Sequence, residues 1–153
     1  MLELEQRIEG RNLQRFAKGT ASARQFALSF SVKTNKTGTY AVLLLDHQNS
    51  RMCCANYTVS NTGWNRYEIV FPADTTGTIT SDHNRRLDIN WWLGAGSTYN
   101  SGTLQTSWGS DTNANRAVGQ VNAVNSASND IMITGVQLEV GSVATPFEHR
   151  PYG

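Results

Sequence analysis

Cysteine is almost absent from this chain, and its placement excludes most cysteine chemistry. The two that occur, Cys53 and Cys54, are adjacent. Neighbours on an extended chain point to opposite faces, so these two are poorly placed to pair with each other. Two thiols cannot make a disulfide framework either, and both read as free, buried thiols. A zinc site needs further ligands, and His47, His83 and His149 show no ligand spacing. Charge is also sparse, at 16% of residues, and nearly balanced at a net +1. That gives no electrostatic reason to expect nucleic acid or an anionic membrane as partner. Long apolar runs are missing. The longest, residues 41–45, is far too short to span a bilayer, so no membrane insertion is expected. The N-terminus, MLELEQRIEG, lacks the basic-then-apolar pattern of a signal peptide, and synthesis in a cytoplasm is expected.

Catalytic signatures are missing as well. There is no nucleophile elbow, no phosphate-binding glycine loop and no metal triad. A glycan-cleaving enzyme needs two carboxylates facing one cleft. Asp82, Asp88 and Asp111 are the obvious carboxylates of the second half, but two of them fall in loops. The chain is therefore expected not to be an enzyme.

Asn, Thr, Ser and Gly fill the space left by charged and apolar residues. The length suits one domain, residues 1–153, with one core. Several stretches alternate with period two, as half-buried strands do. Residues 3–9 set Leu4 and Ile8 against Glu3, Glu5, Arg7 and Glu9. Residues 26–33 set Phe26, Leu28, Phe30 and Val32 inward. Residues 40–45 are apolar on both faces, which predicts a central strand. Residues 52–59 and 64–71 follow, the latter stopped by Pro72. Residues 87–93 give the strongest pattern, with Leu87, Ile89, Trp91 and Leu93 inward and Asp88, Asn90 and Trp92 outward. Residues 131–140 close the series, and Gly141 breaks the strand. One helical turn is expected at 12–18. Residues 95–130 have no clear period, and loops of that length are often functional or partly disordered. The sum is an all-β fold, an antiparallel β-sandwich. Pro146 and Pro151 fix an extended C-terminal strap over residues 141–153.

Trp92 is the leading candidate for ligand contact. It projects opposite the core stripe beside Asp88 and Asn90. The apolar face of a pyranose packs on indole while carboxylate and amide bond its hydroxyls. The competing reading is that the long loop or a neighbouring subunit covers that face. Tyr57 and Trp64 could join the sugar-binding face, with core packing as the preferred alternative. Trp108 is expected to pin the loop onto the sandwich, and Arg116 to bond loop carbonyls. The strand carrying Arg7 and Glu9 could line a polar groove, but a solvated outer face is the simpler reading. The turns Asp46-His47-Gln48-Asn49 and Asp82-His83-Asn84 offer oxygens but lack the alternation of a calcium loop. No metal and no cofactor are predicted.

Five stretches carry a resemblance. They are LEQRIEG (residues 4–10), FALSFSVKT (26–34), PADTTG (72–77), RAVGQVN (116–122) and ITGVQLEVGSVATPFEHRPYG (133–153). In this order they resemble a family of bacteriophage virion proteins of marine and metagenomic type, described as tail-fibre or structural proteins. The resemblance implies a jelly roll like that of galactose-binding and other carbohydrate-binding modules. It also implies a place in the virion, after synthesis in the host cytoplasm, with other virion proteins as partners. By analogy with phage fibres it implies a homo-oligomer, a trimer being the first expectation. Two departures stand out. Relatives carry an upstream segment supplying the first strands and continue beyond the final Pro-Tyr-Gly. At Ser31 they tend to carry Trp. A missing first strand would leave a sheet edge for something to cover, such as another copy of the chain. Two functions follow: a virion module that binds host-surface glycan, or a purely structural module for oligomerisation or attachment.

Overall fold

In the computed structural model, residues 1–150 are described. Eight strands form two antiparallel sheets packed face to face. They are β1 (Leu2–Glu9), β2 (Phe26–Thr34), β3 (Gly38–Asp46), β4 (Arg51–Val59), β5 (Asn65–Phe71), β6 (Arg85–Gly94), β7 (Gly109–Ser110) and β8 (Ile131–Val140). The larger sheet runs β1-β6-β3-β4-β7 and the smaller β5-β2-β8. The protein is an all-β sandwich, as the alternating stretches predict. The helical turn expected at 12–18 is a 3-10 helix, Gly10–Phe16, ended by Ala17 in the left-handed region.

Side-chain period decides what each sheet buries. Phe26, Leu28, Phe30 and Val32 of β2 meet Val42 and Leu44 of β3 and Leu87, Ile89 and Trp91 of β6 in one core cluster. Phe30 lies at its centre, edge-on to Trp91 at 5.6 Å and to Tyr57 at 5.1 Å. The strand at residues 40–45 is apolar on both faces because both faces are covered. Val42 and Leu44 face the core. Ala41, Leu43 and Leu45 form a second cluster with Met52, Cys54, Trp92 and Ala117 on the outside of the larger sheet.

The long segment after β6 is ordered. It contains a short helix, α1 (Ser97–Asn100), and strand β7, which pairs with Arg51 and Met52 of β4. Elsewhere it is tied down group by group. Gln105 O accepts from the Cys54 N–H at 2.7 Å, and Gln120 Oε1 accepts from the Ala41 N–H at 2.7 Å. Trp108 pins the loop as expected. Its indole N–H donates to Pro72 O at 2.7 Å, and its ring tilts against Phe26.

The closing strand carries a bulge. Register slips between Ser29 and Ser31, opposite Gly135, which sits at φ +61, a conformation glycine adopts without penalty. The chain after β8 lies without regular structure over the outer face of the smaller sheet. Thr145 bonds Glu139, and Gln137 Oε1 accepts from the Glu148 N–H at 3.0 Å. The strap expected at 141–153 follows this course through residue 150, and residues 151–153 lie outside the described residues.

Candidate functional site

The outer face of the larger sheet grades from charged to apolar, and that gradient builds the site. Antiparallel register sets Glu3 beside Trp92, Glu5 beside Asn90, and Arg7 beside Asp88. On the other side of β6, Asn90 faces Leu43 and Asp88 faces Leu45. Each row therefore runs from a charged residue on the edge strand to aliphatic residues in the middle. The long loop covers the apolar half with Ala95, Tyr99, Leu104 and Ala117. The charged half, along β1 and β6, stays open as a cleft of about 250 Å³. The turn after β3, with His47 and Ser50, closes one side of it, and the loop residues Asp111 and Arg116 form the rim.

This arrangement corrects the expectation for Trp92. The indole does point away from the core stripe, but it is 0% exposed. Tyr99 packs on it at a centroid distance of 5.1 Å. The loop is the cover, so the ring offers no open face to a pyranose. For Tyr57 the preferred reading, core packing, holds, and the sugar-binding role does not. Its position on β4 turns it inward between the sheets, stacked on Tyr40 at 5.6 Å. Trp64, just before β5, is 51% exposed and away from the cleft, so neither core packing, the preferred reading, nor a place on the sugar-binding face holds for it.

Asp88 and Asn90 do lie on the cleft side of β6, and both are buried. Asp88 is held by its own neighbours. Arg85 Nε donates to it at 2.7 Å, and His47 Nε2 also contacts it. Asn90, at 3% exposure, lines the cleft directly. Its Nδ2 makes one long contact, 3.5 Å to Glu5, and its Oδ1 has no partner among the described residues. Glu3 Oε2 is likewise buried and unpaired.

The two edge-strand carboxylates differ in electrostatics. Burial, and then the charge of Glu5, pushes the Glu3 carboxyl above the ordinary range. Burial also works against Glu5, but Arg7 and Arg85 outweigh it and hold that carboxyl below the ordinary range. Arg85 Nη2 donates to Glu5 at 2.6 Å. On the rim Arg116 Nε donates to Asp111 at 2.9 Å. Arg116 thus engages a carboxylate, where loop carbonyls were expected.

Of the residues lining the cleft, the sequence pointed to Asn90 and, through the groove reading of β1, to that strand, but not to Arg85, His47, Asp111 or Arg116 as cleft residues. The strand does line the cleft, contrary to the simpler reading of a solvated face, and it does so through Glu3 and Glu5 and not through Arg7 and Glu9. Those two point into the open: Arg7 pairs with Glu5 along the strand, and Glu9 lies near His83. Asp111 and Arg116 carry no signal in the sequence, because only the loop's path brings them to β1. The turn carboxylates have other duties. Asp46 receives Lys18, and Asp82 receives Arg86. Among the described residues no cluster of three or more His, Cys, Asp or Glu could hold a metal ion.

Compared with known proteins, the chain matches no family model, no curated protein and no solved structure.

Proposed function

We propose that this protein is a non-enzymatic module of a phage virion, tail-fibre-like, that binds host-surface carbohydrate in the cleft beside β1. The virion placement and the jelly-roll kinship rest on the resemblance in the five stretches named above. The binding reading rests on one observation above the others: the buried, unpaired Oδ1 of Asn90 in the wall of a polar cleft. A buried polar atom without a partner is costly, and a ligand hydroxyl would satisfy it. The cleft is smaller than the roughly 300–1,000 Å³ of typical small-molecule sites, which suits a single sugar ring at a chain end. Hydrolysis is not favoured. Glu3 and Glu5 sit two residues apart on one side of one strand, whereas a glycosidase needs carboxyls on opposite sides of the scissile bond. Asp111, across the cleft, is bound by Arg116.

The test is a glycan array with the purified protein and the Asn90→Ala variant. The wild type is expected to bind a restricted set of glycans. The variant is expected to lose at least about tenfold in affinity, with its melting temperature nearly unchanged, since Asn90 makes only one long hydrogen bond. A folded wild-type protein that binds no glycan would remove this reading.

A second reading, a structural module that self-associates, has its own observation. Leu4 stands beside core residue Trp91, and Val136 of β8 lies near Phe30, across the sandwich from that ring. Yet Leu2, Leu4 and Val136 are 47%, 48% and 37% exposed. β1 and β8 are the outermost strands of their sheets on this flank, so the core opens between two free edges. A second copy fits. An antiparallel β1 pair centred on Gln6 sets Leu4 beside Ile8 and Glu5 beside Arg7, apolar on apolar and acid on base. Light scattering is expected to give a dimer for the wild type and a monomer for Leu4→Lys. A trimer mass would instead favour the fibre analogy, and a wild-type monomer would end the self-association reading.

A further inference from the structure

Among the described residues the cleft has free acceptors and no free cation, and this imbalance specifies its ligand further. Its basic groups are all engaged. Arg85 bonds Asp88 and Glu5, Arg116 bonds Asp111, and His47 contacts Asp88. The unpaired buried atoms that remain on this face of the wall are acceptors, Glu3 Oε2 and Asn90 Oδ1, together with one indole N–H, that of Trp92. Register places Glu3 and Asn90 diagonally across the β1–β6 pair, because Glu5 is the direct partner of Asn90. Diagonal neighbours lie within reach of one bound group. We infer that the cleft selects a sugar bearing a free, protonated amine, with Glu3 as the counter-charge and Asn90 accepting a neighbouring hydroxyl or ammonium proton. This inference rests on the carbohydrate reading above.

The chemistry separates common sugar classes. An ammonium donates to both acceptors and meets the one carboxylate in the wall that lacks a cationic partner. A neutral hexose donates but brings no charge. An N-acetylated sugar loses the charge and adds a carbonyl acceptor. A uronic acid brings a second carboxylate toward Glu3 and Glu5, and like charges repel at this range. Burial and the charge of Glu5 and Asp88 already disfavour the ionised Glu3 carboxyl, with Arg116 and Asn90 acting the other way. A bound ammonium reverses that balance, and the same charge-assisted bond orients the ring.

The experiment is an amide-resolved NMR titration of the full chain at pH 7.5. The probes are D-glucosamine, D-glucose, N-acetyl-D-glucosamine, D-glucuronate and Nα-acetyl-lysine amide. Shifts are expected at Glu3, Glu5 and Asn90. Glucosamine is expected to bind at least about tenfold tighter than glucose, with glucuronate weakest. Glu3→Gln keeps the shape and removes the charge, and is expected to erase the preference for glucosamine while leaving glucose binding in place. If that variant melts early, Asn90→Ala serves instead and should weaken both sugars. Equal binding of glucose and glucosamine would overturn the amine inference and leave the carbohydrate reading standing. Binding of the lysine amide as tightly as glucosamine would overturn it too, since the ammonium alone would then be recognised. No shift with any sugar would remove both readings together.

Discussion

Replacing Lys18 with methionine is expected to cost about 3–5 kcal/mol of folding stability, the usual loss when one partner of a buried ion pair is removed. The Lys18 side chain is fully buried at the end of the sandwich where the β3–β4 turn meets the segment after β5. Its ammonium touches four oxygens. Asp46 Oδ2 is at 2.5 Å, Asp74 Oδ2 at 3.0 Å, and the carbonyls of Thr76 and Gly77 each at 3.0 Å. The face of Trp108 lies 5.2 Å away. Gly19, at φ +81, makes the enclosure possible. A Cβ there would lie 2.2 Å from the Thr78 backbone nitrogen, so the chain can pass only without a side chain. Methionine fills the space and supplies no proton. Asp74 keeps Arg51, through bonds of 2.8 and 2.9 Å, while Asp46 keeps only Asn49. Chemical denaturation of Lys18→Met beside Lys18→Met/Asp46→Asn tests this. The double variant is expected to be the more stable of the two, because it no longer buries an uncompensated charge. Equal stability of Lys18→Met and wild type would overturn the account. The cluster also sets a direction for acid. Burial raises the Asp74 carboxyl, but bonds from Arg51 and Lys18 outweigh it and hold it below its ordinary 3.8. A depressed carboxyl stabilises fully above its unfolded value. That contribution is lost as pH falls from about 3.8 through the lower folded value.

Trp92→Ala is the second large effect, again about 3–5 kcal/mol, as is usual for truncating a buried tryptophan. Trp92 lies under Tyr99 and against the aliphatic residues of β3 and β4. Its removal leaves a cavity between sheet and loop, so the loop is expected to become protease-sensitive between residues 97 and 120 before the sandwich unfolds. Thermal melting with limited proteolysis reads both outcomes. Unchanged melting combined with lost glycan binding would return Trp92 to the ligand and contradict its burial.

The strands were legible because their faces differ in polarity. Residues 87–91 alternate strictly between apolar and polar, and β6 emerges with Leu87, Ile89 and Trp91 inward as predicted. The face of Trp92 was legible, and its cover by the long loop was one of two readings that the sequence left open. Period two reports which side of a sheet a residue takes and says nothing of what lies above it. The loop that covers it has no period, since side chains such as Gln105, Trp108 and Gln120 hold it one at a time. Tyr57 follows the reading preferred from sequence, core packing, and not the sugar-binding alternative. A tyrosine near a strand end suits a wet face, yet here it completes an aromatic group with Phe30, Tyr40 and Tyr67. Lys18 was invisible in sequence because its partners lie 28 and 56 positions away.

The cleft's two walls differ in how the chain can change them. Glu3, Glu5 and Asn90 are locked to the register of β1 and β6, where a one-residue slip would turn every side chain over. Asp111 and Arg116 sit on a loop fastened at discrete points, with the exposed residues Thr112 and Asn113 between them. Among the described residues no strand pair runs through this stretch, which continues into a 3-10 helix at Asn113–Asn115. The rim can therefore change in length and charge while the sandwich beneath it stays the same.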